Sequence, residues 1–130
     1  KLYPILKDQP AFLFEYGQCL SRTQQPEASN RILEEAAHLS SDPMIHNIMG
    51  KNYQTLKQSP QAEAAYLKAS HMVPNRLYPL YLLAKMYDES GQTDKAITTA
   101  RLVLEKAPKI PSSATEEIKR DMQKLITDSR

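Results

Sequence analysis

The chain has 130 residues, of which 41% are hydrophobic and 25% charged, and this composition favours one soluble globular domain and excludes an intrinsically disordered chain. A net charge of +2 excludes the strongly basic surface of most nucleic-acid binders, and the single cysteine, Cys19, excludes a disulfide framework or a multi-cysteine metal site. The longest apolar run, 80–84, is far shorter than the roughly 18 residues that a membrane-spanning helix needs.

Prolines mark where the predicted helices begin and end. Four of them precede runs of helix-forming residues: Pro10, Pro26, Pro43 and Pro60. The first turn of a helix tolerates proline, because the N–H groups there have no partner within the helix. Asp42 and Ser59 precede two of these prolines and are predicted N-caps. Pro74 and Pro108 follow helical patterns and are predicted to end them.

A repeat of 34 residues relates two parts of the chain. Shifted by that number, the segment 49–53 (Met-Gly-x-x-Tyr) falls on 83–87 (Leu-Ala-x-x-Tyr), and Pro74 falls on Pro108. A shift of 33 recovers a weaker third copy that keeps Gly17. Within a single domain over 1–130, the sequence therefore predicts a degenerate repeat at 9–42 and two clearer repeats at 43–76 and 77–109.

This pattern resembles the tetratricopeptide repeat, a helix–turn–helix unit of 34 residues. The resemblance implies an all-α array of helical hairpins, an α–α superhelix. Small residues are expected where the two helices of a unit cross: Gly50, Ala62, Ala84 and Ala96. Tyr53 and Tyr87 are expected to fill the core between units, and Gly91 to supply the turn between two helices.

A last helix is predicted over 112–130, after the final repeat. It begins with Ser113-x-x-Glu116, which has the spacing of a capping box. Apolar residues then recur at helical spacing: Ile118, Met122, Leu125 and Ile126. Such an amphipathic helix would cover the open end of the array. Residues 1–8 are predicted to close a preceding unit, so the array is expected to be longer in its parent protein.

The whole chain also resembles the carboxy-terminal helical-repeat region of bacterial O-antigen ligase/polymerase family membrane proteins. Three segments carry this resemblance: Tyr3-Pro4, 73–79 (Val-Pro-Asn-Arg-Leu-Tyr-Pro) and 109–112 (Lys-Ile-Pro-Ser). It implies a soluble domain attached to a bacterial inner membrane protein, acting as an interaction or scaffold module of the envelope. The alternative is a free-standing adaptor of the same fold that binds a peptide or partner helix in its groove.

No pattern of catalytic or metal-binding residues accompanies the repeats. His38, His46 and His71 form no close pair at helical spacing, and no cluster of Cys, Asp or Glu joins them. Cys19 has no neighbouring partner that marks a nucleophile, and is expected to be a small buried residue. The sequence therefore predicts neither an enzyme nor a cofactor or metal site, and no nucleic-acid partner. Membrane contact is expected only through a parent domain outside this chain.

The predicted partner-binding face is the concave one, lined by the first helix of each repeat. By the repeat register it carries Phe14, Gln18, Arg22, Met44, Asn47, Lys51, Gln54, Tyr78, Tyr81, Lys85 and Asp88. Aromatic anchors with lysines beside them suit a protein or peptide partner, although a merely solvated groove is the alternative. The lysine and asparagine pattern with which co-chaperone repeats clamp a peptide carboxylate is absent. The oligomeric state stays open.

Overall fold

The computed structural model describes residues 9–74, 76–106 and 112–128. They form seven α-helices and no strand: α1 (Pro10–Arg22), α2 (Pro26–Leu39), α3 (Pro43–Thr55), α4 (Ser59–Met72), α5 (Tyr78–Glu89), α6 (Thr93–Glu105) and α7 (Ser113–Asp128). The predicted all-α class is confirmed. Several predicted features lie outside the described residues: Tyr3-Pro4, Asn75, Pro108 and the segment 109–111.

Proline begins the helices as predicted. Pro10, Pro26 and Pro43 are the first residues of α1, α2 and α3. The carboxylate of Asp42 caps α3 by accepting a hydrogen bond of 2.9 Å from the main-chain N–H of Met44. The predicted cap at Ser59 is wrong, because α4 already begins at that residue.

Three turns of one kind join α1 to α2, α3 to α4, and α5 to α6 in the described chain. Each has one residue with a left-handed backbone: Gln24 (φ 62°), Lys57 (φ 61°) and Gly91 (φ 78°). The main-chain N–H of the residue that follows donates a hydrogen bond of 2.8 Å to the carbonyl oxygen five residues earlier. The pairs are Gln25 to Leu20, Gln58 to Tyr53 and Gln92 to Tyr87. These are Schellman turns, in which glycine is the residue without steric strain. The sequence predicted only the one at Gly91.

The chain divides into two compact units, 1–65 and 66–130. In the first unit, α2 packs against both α1 and α3. Its core consists of apolar side chains from these three helices and from the first half of α4: Leu13, Leu33, Ala36, Ile45, Ile48, Met49 and Ala65. A Cβ atom on Gly17 would lie 2.6 Å from Cγ and Cδ2 of Leu33, so α1 and α2 approach closely at this glycine. Tyr53 packs at the edge of this core.

In the second unit, α6 packs against both α5 and α7. The predicted small and aromatic core positions Ala84, Ala96 and Tyr87 are buried. From α7, Met122 and Ile126 are buried, which agrees with the apolar stripe predicted for this last helix. The division falls within α4, so the predicted repeat boundaries remain a prediction.

The cap of α7 differs from the predicted Ser113–Glu116 box. The side chain of Ser112 accepts a hydrogen bond of 3.2 Å from the N–H of Thr115, whose hydroxyl oxygen accepts one of 2.9 Å from the N–H of Ser112. This reciprocal pair of hydrogen bonds joins Ser112 and Thr115, so the capping box begins one residue earlier than predicted. Threonine can replace glutamate in it because its hydroxyl reaches the main chain of the capping residue.

Candidate protein-interaction face

The predicted face residues lie on three helices. In the first unit, α1 carries Phe14, Gln18 and Arg22, and α3 carries Met44, Asn47, Lys51 and Gln54. These two helices contact each other, so their residues can form one surface. In the second unit, α5 carries Tyr78, Tyr81, Lys85 and Asp88.

The first-unit face combines an exposed thioether with partly covered neighbours. Met44 keeps 37% of its surface exposed, as do Tyr16 (38%) and Leu39 (47%) among the large apolar side chains of this unit. Phe14 is half-buried and packs against the core beneath the face. Arg22 and Lys51 are exposed. The two helices of this face therefore carry both exposed apolar surface, on Met44, and positive charge, on Arg22 and Lys51.

Asn47 is the exception among the predicted face residues, because only 3% of its surface is exposed. Its Nδ2 lies 4.0 Å from Sδ of Met44, which is a weak contact. Its Oδ1 is buried and has no hydrogen-bond partner among the described residues. Asn47 was predicted to line the concave face, but the structure buries its side chain. A buried amide oxygen without a partner costs about 1–3 kcal/mol.

A buried polar network lies in the same unit and was missed by the sequence analysis. Nδ2 of Asn52 donates to Ser29 Oγ at 2.9 Å and to Asn30 Oδ1 at 2.8 Å. Oδ1 of Asn52 accepts a hydrogen bond of 2.7 Å from Ser21 Oγ. One asparagine on α3 therefore ties together α1 and α2, and fixes how the three helices pack.

The sequence did contain one signal for this network. A shift of 34 residues places Asn52 on Met86, and both side chains are 2% exposed. A polar residue at a position that is apolar in the equivalent repeat must find hydrogen-bond partners when it is buried. That comparison would have singled out Asn52, although not the identity of its partners.

On the second-unit face, aromatic rings and a lysine stack along α5. The rings of Tyr78 and Tyr81 have centroids 6.1 Å apart, and Nζ of Lys85 lies 5.2 Å from the ring centroid of Tyr81. The hydroxyl of Tyr81 donates a hydrogen bond of 2.8 Å to Oδ2 of Asp121 on α7. The sequence analysis missed Asp121, which lies 40 residues away along the chain.

The environment of Tyr81 suppresses its ionisation. Burial raises its pKa to about 12, together with the hydrogen bond donated to Asp121 and the negative charge of that carboxylate. Tyr81 is therefore a neutral donor at physiological pH, and part of its predicted binding surface already serves to hold α7.

The cysteine and histidine candidates lie on four different helices, α1 to α4. His38 and His71 are exposed, and no group of three or more His, Cys, Asp or Glu among the described residues could hold a metal ion. Cys19 is exposed, so the expectation that it is buried is wrong. Cys19 follows Gln18 on α1 and points away from the core side that Leu13 and Gly17 occupy.

Two solved structures of PcrH are similar to this chain. A crystal structure of PcrH in complex with the chaperone binding region of PopD matches with a TM-score of 0.75 and 16% identity, over 92% of this chain and 89% of that chain. A crystal structure of PcrH from Pseudomonas aeruginosa matches with a TM-score of 0.77 and 16% identity, over 94% of this chain and 92% of that chain. At this identity the likeness shows the fold, a tetratricopeptide-like array of helical hairpins. No family model and no curated protein matches the chain.

These comparisons correct one expectation. The predicted location, a soluble domain attached to a bacterial inner membrane protein, is wrong: the PcrH chains are matched over 89% and 92% of their length, and no membrane domain forms part of the match. None of the comparisons supports the resemblance to O-antigen ligases and polymerases. Among the described residues, no helix is long and apolar enough to cross a bilayer.

Proposed function

We propose that this chain is a non-catalytic adaptor that binds an extended segment of a partner protein on the α1–α3 face of its first unit. The observation that carries the proposal is the exposed Met44 on this face, with the half-buried Phe14 and the positive charges of Arg22 and Lys51 on the same two helices. PcrH, which has the same fold, is known in complex with a region of PopD, and this supports a polypeptide as the ligand.

The side chains of this face can make both apolar and electrostatic contacts with a bound peptide. Methionine is flexible and polarisable, so Met44 can fit apolar side chains of different shapes. Burial of such a side chain at the centre of an interface commonly contributes a large share of the binding free energy. Arg22 and Lys51 favour a segment with acidic side chains or exposed carbonyl groups.

An extended segment suits this face better than a partner helix. Three residues with amide side chains were predicted to line it: Gln18 and Gln54, which are partly exposed, and Asn47, which is buried. Main-chain groups of an extended peptide can bond to such amides, whereas the main chain of a helix is already hydrogen-bonded internally. The amides would therefore contribute little to the binding of a helix.

The α5 residues of the second unit are proposed separately as partner-binding residues. Tyr78 and Lys85 offer aromatic surface and a positive charge, and Asp88 is exposed at the end of the same helix. Tyr81 contributes there through its ring, because its hydroxyl is bonded to Asp121.

The test begins with a random library of 12-residue peptides displayed on phage and selected against the full chain. The Kd of one selected, fluorescently labelled peptide is then measured by anisotropy. Met44→Ala should weaken binding by about 10-fold, because it removes the exposed apolar anchor. Leu39→Ala is the matched control, since Leu39 is 47% exposed in the same unit but lies on α2, and it should leave the Kd unchanged.

Two results would overturn the proposal. One is a selection that yields no peptide with measurable affinity for the wild-type chain. The other is a selected peptide that binds the Met44→Ala variant as tightly as the wild type.

A further inference from the structure

Asn47 combines three properties that packing alone does not explain. It is 3% exposed, its Oδ1 has no hydrogen-bond partner in the described chain, and its Nδ2 has only the sulfur of Met44 at 4.0 Å. Sulfur is a weak acceptor, so both ends of this amide lack a strong bond. Buried polar groups are nearly always satisfied, and such an exception calls for an explanation. Nδ2 of Asn30 also has no partner among the described residues, but Oδ1 of Asn30 accepts a bond of 2.8 Å from Asn52, whereas neither end of the Asn47 amide has a strong bond.

Asn52, on the same helix, shows what a structural asparagine looks like here. Its Nδ2 and Oδ1 together make bonds of 2.7, 2.8 and 2.9 Å to three side chains. Asn47 lies five residues earlier, is equally buried and makes none of comparable strength. Its amide therefore contributes little to the fold, although its burial without partners lowers the stability of the free chain.

We infer that the Asn47 amide recognises the main chain of a bound peptide, and that Met44 covers this amide in the free chain. The inference rests on the function proposed above and names the group that reads the peptide backbone. When the peptide arrives, Met44 moves aside and packs on it. Nδ2 exchanges its contact with Met44 Sδ for a peptide carbonyl oxygen, and Oδ1 accepts a peptide N–H.

Chemistry and geometry favour this assignment. A primary amide presents a donor and an acceptor side by side, and so complements the C=O and N–H groups of one extended residue. Met44 is an apt cover because a thioether side chain changes rotamer easily and its contact with Nδ2 is weak. Recognition through main-chain groups would also let the site accept segments of differing sequence.

The test uses the full chain and the selected 12-residue peptide, together with a series of its analogues that are each N-methylated at one peptide bond. N-methylation removes one main-chain N–H. In the wild type, methylation at one position should weaken binding by about 10-fold. In Asn47→Leu that penalty should disappear, and the unmodified peptide should bind about 10-fold more weakly than it binds the wild type.

The stability of the free variant is a second, independent readout. Asn47→Leu replaces a buried amide without strong partners by an apolar side chain of similar size, so the unfolding temperature should rise by a few degrees, about 2–6 °C. Asn47→Ala, which adds no bulk, should lose the same N-methylation penalty. The control is Asn30→Ala: it breaks the bond to Asn52 and should lower the unfolding temperature, but leave the N-methylation profile intact.

Three results would overturn the inference: wild-type affinity in both Asn47 variants, an N-methylation profile that is the same in them as in the wild type, or a large fall in the unfolding temperature of Asn47→Leu. If the peptide still binds and Met44→Ala still weakens it, the proposed function stands and only the role of Asn47 fails. If no peptide binds the wild type, both fail together.

Discussion

The hydroxyl of Ser29 on α2 donates a hydrogen bond of 2.6 Å to the main-chain carbonyl oxygen of Gly17 on α1. Both residues are fully or almost fully buried, and both are small enough for the two helices to touch main chain to side chain. The same crossing leaves no room for a Cβ atom on Gly17, because Leu33 lies 2.6 Å from where it would stand. Steric fit and hydrogen bonding together thus determine how closely α1 and α2 pack at Gly17.

Gly17→Ala should therefore lower the free energy of unfolding by about 1–3 kcal/mol, despite the better helix propensity of alanine. Leu33 is completely buried and cannot simply move away. Urea unfolding followed by circular dichroism measures the effect. In a Leu33→Ala background the clash is absent, so the same substitution should become neutral or stabilising. An equal loss in both backgrounds would contradict the steric explanation.

Asn52→Met copies the residue that stands at the equivalent position, Met86. It should destabilise the chain by about 1–3 kcal/mol, because Asn30 and Ser21 would lose their buried partner. The double variant Asn30→Ala with Asn52→Met should be less destabilised than the sum of the two single variants. Strict additivity in urea unfolding would show that the network is not coupled.

All three turns should be more stable with glycine at their left-handed position. Gln24→Gly and Lys57→Gly should each raise the free energy of unfolding by about 0.5–1 kcal/mol, because a side chain at φ near 60° is strained. Gly91→Ala should lower it by a similar amount, although no atom lies within 4 Å of the added Cβ. Gln25→Gly is the control: its φ is −121°, so glycine gains nothing there. A stabilising Gln25→Gly would refute this account.

Stability should fall in alkaline solution. Tyr81 has a pKa of about 12 in the folded chain and near 10 when unfolded, so between these values the folded state keeps a proton that the unfolded state loses. The stabilisation of the folded state by neutral Tyr81 is complete below pH 10 and is lost as the pH rises towards 12. Burial also raises the pKa of Tyr66, so its ionisation should lower the free energy of unfolding at high pH in the same way. Urea unfolding at several pH values measures the slope, which Tyr81→Phe should reduce. An unchanged slope would contradict the prediction.

Local patterns determined the helices. A proline in the first turn, an apolar residue every third or fourth position and a recurring small residue each act within one helix or between helices that are neighbours in sequence. For that reason the sequence alone predicted the all-α class, the starts of α1 to α3 and the burial of Ala84 and Tyr87. The repeat register likewise placed the candidate face residues on α1, α3 and α5.

The tertiary structure decided which polar groups meet. Asn52 bonds to side chains 22 to 31 residues away, and Tyr81 to Asp121 at a separation of 40 residues. Such pairs depend on ångström-scale distances between helices, which residue types at a given spacing do not specify. The same holds for Asn47, whose repeat position predicted a surface residue. Its burial depends on the three-dimensional packing around it. So does the lack of a partner for its Oδ1 in the part of the chain that the structure describes.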